Sequence, residues 1–249
     1  MKRVLSHVRR AVDDYSMIKE GDKVAVGVSA GKDSLTLLCA LAELRRFYPN
    51  KFELIAITVD MGFEGTDFSS IQALCDELGV EYHIIETQIS KVIFDVRKEK
   101  NPCSLCAKMR RGALYSGARA LGCTSVALGH HFDDVVETFM LNLFYEGRIG
   151  CFQPVTYLTK TEITLIRPMI YMPEKDVRYF AGKNTLPVVK STCPADGNTE
   201  REEMKQLLRA LEKENKGLRY KIFGAIQRGE VDGFKYISRM QGIKEYSEE

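Results

Sequence analysis

The chain has 249 residues, of which 45% are hydrophobic and 28% are charged, and its formal net charge is +2. This composition is ordinary for a globular protein, so disorder is not the default expectation. Because the net charge is small, any affinity for nucleic acid must come from a local basic patch. No apolar run is long enough to cross a bilayer, and the first residues lack the apolar core of a signal peptide. We therefore expect a cytoplasmic protein with no membrane contact.

The predicted elements alternate between strands and helices. An N-terminal helix, expected to expose Arg9 and Arg10, precedes strands and helices predicted at 24–28 (strand), 33–46 (helix), 54–59 (strand), 68–78 (helix), 82–85 (strand), 125–128 (strand) and 133–145 (helix). Continuous β-branched runs indicate strands that are covered on both faces. Strands separated by helices predict an α/β fold with a parallel twisted sheet and helices on both faces. Ligands bind such sheets at the carboxyl ends of the strands.

The pattern is weaker after residue 150. We predict a strand at 163–166, a short helix opening at 173–176 and a charged helical region from residue 199. The simplest division is an N-terminal helix at 1–20, an α/β domain at 21–195 and a helical C-terminal extension at 196–249.

The first predicted strand runs directly into a short polar loop that precedes a helix; the loop consists of Ser29, Ala30, Gly31, Lys32, Asp33 and Ser34. A strand, a turn of small residues and a helix together point free backbone N–H groups at an anion. A carboxylate at Asp33 fits a phosphate site if a magnesium ion bridges it to the phosphates. The loop is not a Walker A motif, because Val26 stands at the first glycine position and Asp33 follows the lysine.

This loop resembles the PP-loop, Ser-Gly-Gly-x-Asp-Ser, of ATP pyrophosphatases. The resemblance implies the adenine nucleotide alpha-hydrolase-like fold, cleavage of ATP between the α and β phosphates, and adenylation of a substrate. Ala30 replaces the first glycine of the motif, which is tolerable if its φ is negative. The alternative is an ordinary helix N-cap, with Ser and Asp in the first turn.

A second polar motif follows the fourth predicted strand: Gly129, His130, His131, Phe132, Asp133 and Asp134. By topology it opens on the same edge of the sheet as the first loop. Adjacent carboxylates at a helix start could simply cap that helix. The functional interpretation places Asp134 on magnesium or on the reacting base. The segment resembles the Gly-His-x-x-Asp-Asp signature of tRNA-modifying PP-loop enzymes.

Seven cysteines in a chain of this length argue against a disulfide scaffold. Four stand singly among apolar or small residues and are interpreted as buried structural thiols: Cys39, Cys75, Cys123 and Cys151. Cys103 and Cys106 form a C-x-x-C pair that opens a helix, where the helix N-terminus favours thiolate. Cys193 is the one further plausible ligand. A structural zinc site requires four ligands. The two remaining interpretations are a redox or persulfide pair and a [4Fe–4S] cluster in which one iron has no protein ligand.

The run from Cys103 to Gly112, together with Gly129–His130 and Arg167–Pro168, resembles the tRNA 2-thiocytidine synthetase (TtcA-type) family. The resemblance covers about residues 20–195 and implies a [4Fe–4S] cluster on Cys103, Cys106 and Cys193. The related 2-thiouridine synthetases usually carry N-terminal zinc-binding cysteines, which are not found before Cys39, and tend to have lysine at Arg110. The cytidine branch is therefore preferred.

The resemblance implies an ATP-dependent tRNA-cytidine sulfurtransferase that makes 2-thiocytidine in the anticodon loop. ATP would lie in the Ser29–Ser34 loop with its adenine near Val59 and Asp60, and with Gly129 and His130 beside it. The C2 oxygen of the base would attack the α-phosphate, and sulfide would then replace AMP at C2. Arg110 and Asp134 would orient or polarise the base. The implied partners are tRNA, a sulfur donor (cysteine desulfurase or free sulfide) and a second copy of the chain in a homodimer.

Two basic helical stretches are candidates for contact with tRNA phosphates. The first consists of Lys2, Arg3, Arg9 and Arg10. The second consists of Arg201, Lys205, Arg209, Lys213, Lys216, Arg219 and Lys221, and glutamates interleaved with it also fit a solvated helix face.

The alternatives for the whole chain are a 2-thiouridine-forming or persulfide-based thiolase, a ligase-type adenylating enzyme acting on a nitrogen nucleophile, and a regulatory module that binds ATP without turnover.

Overall fold

The structure is a computed structural model, and it describes residues 1–63, 65–97, 102–189 and 200–237. Cys193 and the loop around it, residues 191–197, lie outside the described residues.

Six strands form one sheet: β1 (Asp22–Gly27), β2 (Phe52–Asp60), β3 (Glu81–Glu86), β4 (Ser125–Ala127), β5 (Val155–Leu158) and β6 (Ile163–Ile166). Their order is β3-β2-β1-β4-β6-β5. The first five in this order are parallel, which confirms the predicted fold class. β5, which was not predicted, pairs antiparallel with β6 at the edge of the sheet. The sequence pattern missed β5 because a four-residue, half-buried edge strand carries little periodicity.

The helices are α1 (Lys2–Asp14), α2 (Lys32–Leu44), α3 (Ser69–Leu78), α4 (Ile89–Lys91), α5 (Pro102–Ala120), α6 (Phe132–Tyr145), α7 (Glu174–Lys183), α8 (Glu200–Glu214) and α9 (Leu218–Arg228). A π-helix, Val92–Val96, continues α4, and a 3₁₀ turn at Val231–Gly233 follows α9. Predicted boundaries from the first strand onward agree within two residues at each compared end, whereas α1 ends at Asp14, short of the helix predicted at 1–20. Pro173 stands one position before α7, where its missing N–H removes no helical hydrogen bond.

Two hydrophobic clusters cover opposite faces of the sheet. Along β1, Val24 and Val26 belong to the larger cluster and Ala25 to the smaller one, as the two-residue period of a strand requires. The larger cluster contains residues of α1, α2, α6 and α7, and also of α8 and α9. The smaller cluster is formed by the sheet and α5, through Leu114, Tyr115 and Ala118. The helix that carries the C-x-x-C pair, α5, therefore packs on the face of the sheet opposite to α1, α2, α6 and α7.

Helix α1 buries the stripe Val4, Val8, Ala11 and Val12, whose spacing is that of one helix face. Arg9 is exposed, as predicted. Arg10 is half-buried instead, because its guanidinium lies 4.9 Å over the Tyr171 ring and 3.6 Å from Asp14. Within the described ranges, no helix is both long and apolar enough to cross a membrane.

Candidate nucleotide and cysteine site

The loop after β1 is braced from inside by one hydroxyl. Ser34 Oγ accepts a hydrogen bond from Ser29 N at 3.1 Å and donates one to Gly31 O at 3.0 Å. Helix α2 begins at Lys32 with Gly31 as its N-cap and has no side-chain cap. The first backbone N–H groups of α2 are therefore open to an external acceptor, which is the geometry of an anion site.

Ala30 adopts a left-handed conformation, with φ of +61°. The condition under which alanine costs little here, a negative φ, is therefore not met, and this backbone shape explains the glycine of the PP-loop motif. A Cβ in this region costs about 1–2 kcal/mol. The carbonyl of Ala30 accepts a hydrogen bond from Val189 N at 3.1 Å, which holds the strained peptide.

Lys32 and Asp33 form an ion-paired group with a residue of α7. Lys32 Nζ lies 3.1 Å from Asp33 and 3.2 Å from Glu174 Oε1, and Arg178 also binds Glu174 at 2.9 Å. Burial by itself lowers the pKa of Lys32, but the two carboxylates raise it above its ordinary value. Burial by itself raises the pKa of Glu174, but the hydrogen bonds from Arg178 and Lys32 lower it to about 2. The lysine is charged and held over the loop.

Gly129 brings the second motif into contact with the first. A Cβ at Gly129 would lie 3.0 Å from Ser34 N and 3.1 Å from the carbonyl carbon of Asp33. A side chain there would displace the first turn of α2, so this position requires glycine for close approach. The two polar motifs therefore form one site at the carboxyl edge of the sheet.

His130 is part of a stack of rings and guanidinium behind the loop. Its ring centroid is 4.9 Å from that of Phe152, and Arg167 Cζ lies 5.0 Å from the centroid of the Phe152 ring. Arg167 also donates to the carbonyl of Gln153. Burial, with Arg167 adding to the effect, lowers the pKa of His130 to about 4, so its imidazole is neutral at pH 7. Its shielded Nδ1 makes no hydrogen bond.

His131 connects Asp33 to Asp134. Asp134 N donates to His131 Nδ1 at 3.4 Å, and Asp134 Oδ2 accepts from His131 N at 2.9 Å, which forms a capping box for α6. Because Nδ1 accepts, the ring proton is on Nε2, which lies 3.7 Å from Asp33 Oδ1. Asp134 thus caps the helix and also belongs to the nucleotide site.

The C-terminal helices supply two arginines to the acidic start of α6. Arg201 binds Asp134 Oδ1 at 3.0 Å and Thr138 at 3.1 Å. Arg219 binds Asp133 Oδ1 at 3.0 Å. Both arginines were candidates for contact with tRNA phosphates, with a solvated helix face as the alternative, and the structure places them on carboxylates instead.

Other members of the two basic stretches also have protein partners. Arg3 lies 3.0 Å from Asp176, and Arg9 lies 3.5 Å from Asp13. Lys221 Nζ donates to Asn215 at 2.7 Å. Both stretches therefore present fewer unpaired charges than the sequence suggested.

Glu137 lies between the two arginines and is 1% exposed. Its oxygens are 3.8 Å from Arg201 and 3.5 Å from Arg219. Burial raises the pKa of Glu137 to about 7, even though Lys205 and the two arginines favour its ionised form. The arginines and the three carboxylates of α6 therefore form one charged cluster beneath the site.

The end of β2 lies beside the phosphate loop. Val28 N donates to Ile57 O at 2.8 Å, and Thr58 Oγ1 donates to Val28 O at 3.0 Å. Val59 and Asp60 follow, both half-buried, and Asp60 Oδ1 accepts from Gly62 N at 2.9 Å. The predicted adenine position is therefore adjacent to the loop through main-chain hydrogen bonds.

The C-x-x-C pair lies at the start of α5. Cys106 is half-buried, with its sulfur 3.5 Å from Met61 Sδ, just beyond the end of β2. Cys103 and Arg110 are exposed on the same helix. Within the described ranges, no three His, Cys, Asp or Glu side chains form a metal-binding group.

The remaining cysteines are packed structural thiols. Cys39, Cys75 and Cys123 are buried, as predicted, and burial raises the pKa of each. Cys151 is half-buried, and burial raises its pKa to about 12. None of these four thiols ionises readily near pH 7.

Comparison with known proteins identifies the class first. The model of the PP-loop domain family matches residues 3–212, which is most of the chain. Fold, phosphate loop and second motif together define a PP-loop nucleotide-binding protein.

The relatives identify the family within that class. Proteins named tRNA-cytidine(32) 2-sulfurtransferase, from Geobacter sulfurreducens and Teredinibacter turnerae, are 41% and 42% identical. The alignments cover 90% and 91% of this chain and 89% and 76% of those proteins. The chain belongs to this tRNA-cytidine(32) 2-sulfurtransferase family, which confirms the resemblance drawn from the motifs.

A solved structure shows the same architecture. The U34-tRNA thiolase NcsA from Methanococcus maripaludis, determined with its [4Fe-4S] cluster, is 31% identical and superimposes with a TM-score of 0.76. The match covers 91% of this chain and 77% of that one.

Three residues of the site were not recognised as such from the sequence. Glu174 carries a signal that could have been used, because a glutamate after a proline at a helix start marks a first turn. The roles of His131 and Arg219 depend on contacts between segments far apart in sequence, and no local pattern reports them.

Proposed function

We propose that this chain is an ATP-dependent tRNA-cytidine 2-sulfurtransferase that activates C2 of a cytidine in the anticodon loop and replaces its oxygen with sulfur. One observation carries the proposal. The C-x-x-C helix begins beside Met61, at the end of the strand next to the phosphate loop. Adenylating groups and thiols therefore share one edge of the sheet, as activation followed by sulfur transfer requires.

The loop residues bind and orient ATP. The free N–H groups of α2 and the ammonium of Lys32 face the β and γ phosphates, and Ser29 and Ser34 keep the loop in shape. Asp33 Oδ1 is shielded from solvent and accepts no hydrogen bond, and its neighbours are the charged groups Lys32 Nζ at 3.1 Å and His131 Nε2 at 3.7 Å. A magnesium ion fits this oxygen, since carboxylates are ligands that it prefers.

Thiolates of Cys103, Cys106 and Cys193 fit a [4Fe–4S] cluster. The first two lie within one turn at a helix N-terminus, which favours thiolate. Val189, whose N donates to Ala30 O, precedes Cys193 by four residues in the sequence, which supports Cys193 as the third ligand. When bound, a cluster with three protein ligands supplies an iron that can carry the sulfur.

The chain's own residues position the two reactants. The base oxygen at C2 attacks the α-phosphorus, and pyrophosphate leaves into the loop, where Lys32 balances its charge. Arg110, exposed four residues after Cys106, can pair with the base or its phosphate on the cysteine side. Incoming sulfur forms the C2–S bond while the C2–O bond breaks, and AMP departs with the oxygen.

The partners follow from the same chemistry. The proposal takes tRNA as the substrate, the cytoplasm as the location, and a cysteine desulfurase or free sulfide as the source of sulfur. The proposal includes assembly of the chain into a homodimer. It also includes three segments: an N-terminal helix at 1–20, an α/β domain at 21–195 and a helical C-terminal extension at 196–249.

The test is anaerobic purification of single Cys→Ala variants at 103, 106 and 193, with Ser104→Ala as the control. Ser104 is exposed between the two thiols. We expect each cysteine variant to lose visible absorption and 2-thiocytidine formation, measured by nucleoside mass spectrometry, and to keep tRNA-dependent pyrophosphate release. Thiolation by a colourless protein would support the persulfide alternative, and thiolation of U34 would overturn the cytidine assignment.

A further inference from the structure

We propose that Arg201 and Arg219, on the C-terminal helices, are positioning residues that hold the charged residues of the phosphate loop in their binding geometry. The inference rests on the proposed function at one point, the binding of ATP by this loop. It assigns the two arginines to the nucleotide rather than to the tRNA backbone.

The first chain of contacts leads from Arg201 to Asp33. Arg201 holds one oxygen of Asp134 at 3.0 Å, and the other oxygen is fixed by His131 N at 2.9 Å. The imidazole of His131 is 2% exposed and directs Nε2 toward Asp33 Oδ1. Without Arg201, Asp134 loses a charge-assisted hydrogen bond and the ring loses part of its support.

The second chain leads from Arg219 to Lys32. Arg219 holds Asp133 Oδ1 at 3.0 Å, and Asp133 Oδ2 accepts from Glu174 N at 2.7 Å. The carboxylate of Glu174 in turn holds Lys32 Nζ at 3.2 Å. The two chains meet at the Lys32–Asp33 ion pair, where the phosphates bind.

Charge balance gives the arginines a second role. Four carboxylates besides that of Asp33 lie under or beside the loop: Asp133, Asp134, Glu137 and Glu174. A polyphosphate brought to this edge would be repelled if they were not neutralised. The guanidinium of Arg219 is only 13% exposed, so its charge acts in a poorly screened environment. An arginine that is largely shielded and already paired with Asp133 and Glu137 is poorly placed to contact a tRNA phosphate.

The experiment measures ATP and tRNA binding separately on the full chain. ATP affinity is measured by calorimetry without tRNA, in the presence of magnesium, and tRNA affinity by filter binding without ATP. Arg201→Ala and Arg219→Ala are compared with Arg209→Ala, a matched control on α8 whose exposed guanidinium lies 3.8 Å from Glu202. We expect ATP affinity to fall about 5- to 20-fold in the first two variants and less than twofold in the control. We expect tRNA affinity to stay within twofold in Arg201→Ala and Arg219→Ala.

A second set of variants separates positioning from folding. Arg201→Lys keeps the charge but not the fork that reaches both Asp134 and Thr138, so we expect it to recover part of the lost ATP affinity. In an Asp134→Asn background, Arg201→Ala should add little to the loss, because both changes break the same chain.

Two results would overturn the inference: a tenfold loss of tRNA affinity with unchanged ATP affinity, or fully additive losses in the double variant. Production of 2-thiocytidine is scored apart from these binding measurements. Failure of the thiolation assignment would therefore leave the calorimetric result unaffected.

Discussion

The phosphate loop and the start of α5 lie at the same edge of the sheet but are held in different ways. The loop is fixed by Ser34, Gly129 and the His131–Asp134 box, all within hydrogen-bonding or van der Waals distance. At the cysteine end, the Cys106 sulfur contacts Met61 Sδ and Cys103 is exposed. The nucleotide half is preorganised by contacts within the protein, whereas the exposed Cys103 is accessible to a bound group. Variants on the two sides should therefore fail in different steps.

The largest effect is expected at Asp33. Asp33→Asn removes the proposed magnesium ligand and the partner of Lys32, so pyrophosphate release should fall about 10²- to 10³-fold. Release of radiolabelled pyrophosphate measures it, and Asp67→Asn, exposed before α3, is the control. The cysteine variants keep this step, so an equal loss in both groups would contradict the comparison.

A pair of glycines probes packing on the two sides. Gly129→Ala should lower the free energy of unfolding by about 1–3 kcal/mol and weaken ATP binding, because its Cβ meets the backbone of α2. A Cβ at Gly112 on α5 would contact no neighbouring atom within 4 Å. Because alanine has a higher helix propensity than glycine, Gly112→Ala should raise that free energy by about 0.5–1 kcal/mol. Urea unfolding measures both. Equal tolerance at the two positions would show that the loop is not tightly packed.

The pH dependence of stability tests the electrostatics of the nucleotide half. The pKa of Glu174 is lowered to about 2 in the folded chain, so its contribution is present above its unfolded pKa of 4.5 and is lost as pH falls toward 2. Glu174→Gln should therefore lower the free energy of unfolding by about 1–3 kcal/mol at pH 7. The gap to the unmodified chain should close with acid. A gap that is constant from pH 7 to pH 3 would mean that the pairing is not ionic.

The smallest effect is expected at the strained alanine. Ala30→Gly relieves the left-handed φ and should raise the free energy of unfolding by up to about 1 kcal/mol. Thermal unfolding measures the change. Replacing alanine by glycine also gives the unfolded chain more backbone freedom, which by itself lowers the free energy of unfolding. A net decrease in Ala30→Gly would therefore show that Ala30 is not strained enough to offset this loss.

The sequence predicted the sheet, both loops and the cysteine pair because each is encoded locally, by β-branched runs or by short motifs. It could not predict the positive φ of Ala30, since a backbone angle is set by contacts such as the one with Val189. It left Arg201 and Arg219 between a tRNA phosphate contact and a solvated helix face, because charged helices look alike in sequence whether their charges face water or a carboxylate cluster. These charges could be assigned only after α8 and α9 were placed against α6.

The two hydrophobic clusters lie back to back, with the sheet as a partition between them. Helix α5 packs into the smaller one, and α2, α6, α8 and α9 into the larger. Side-chain changes beneath the thiols therefore have little direct route to the residues that grip the nucleotide. In such a layered architecture, substitutions can change the sulfur-transfer side of the protein in evolution while the residues that activate the carbon stay the same.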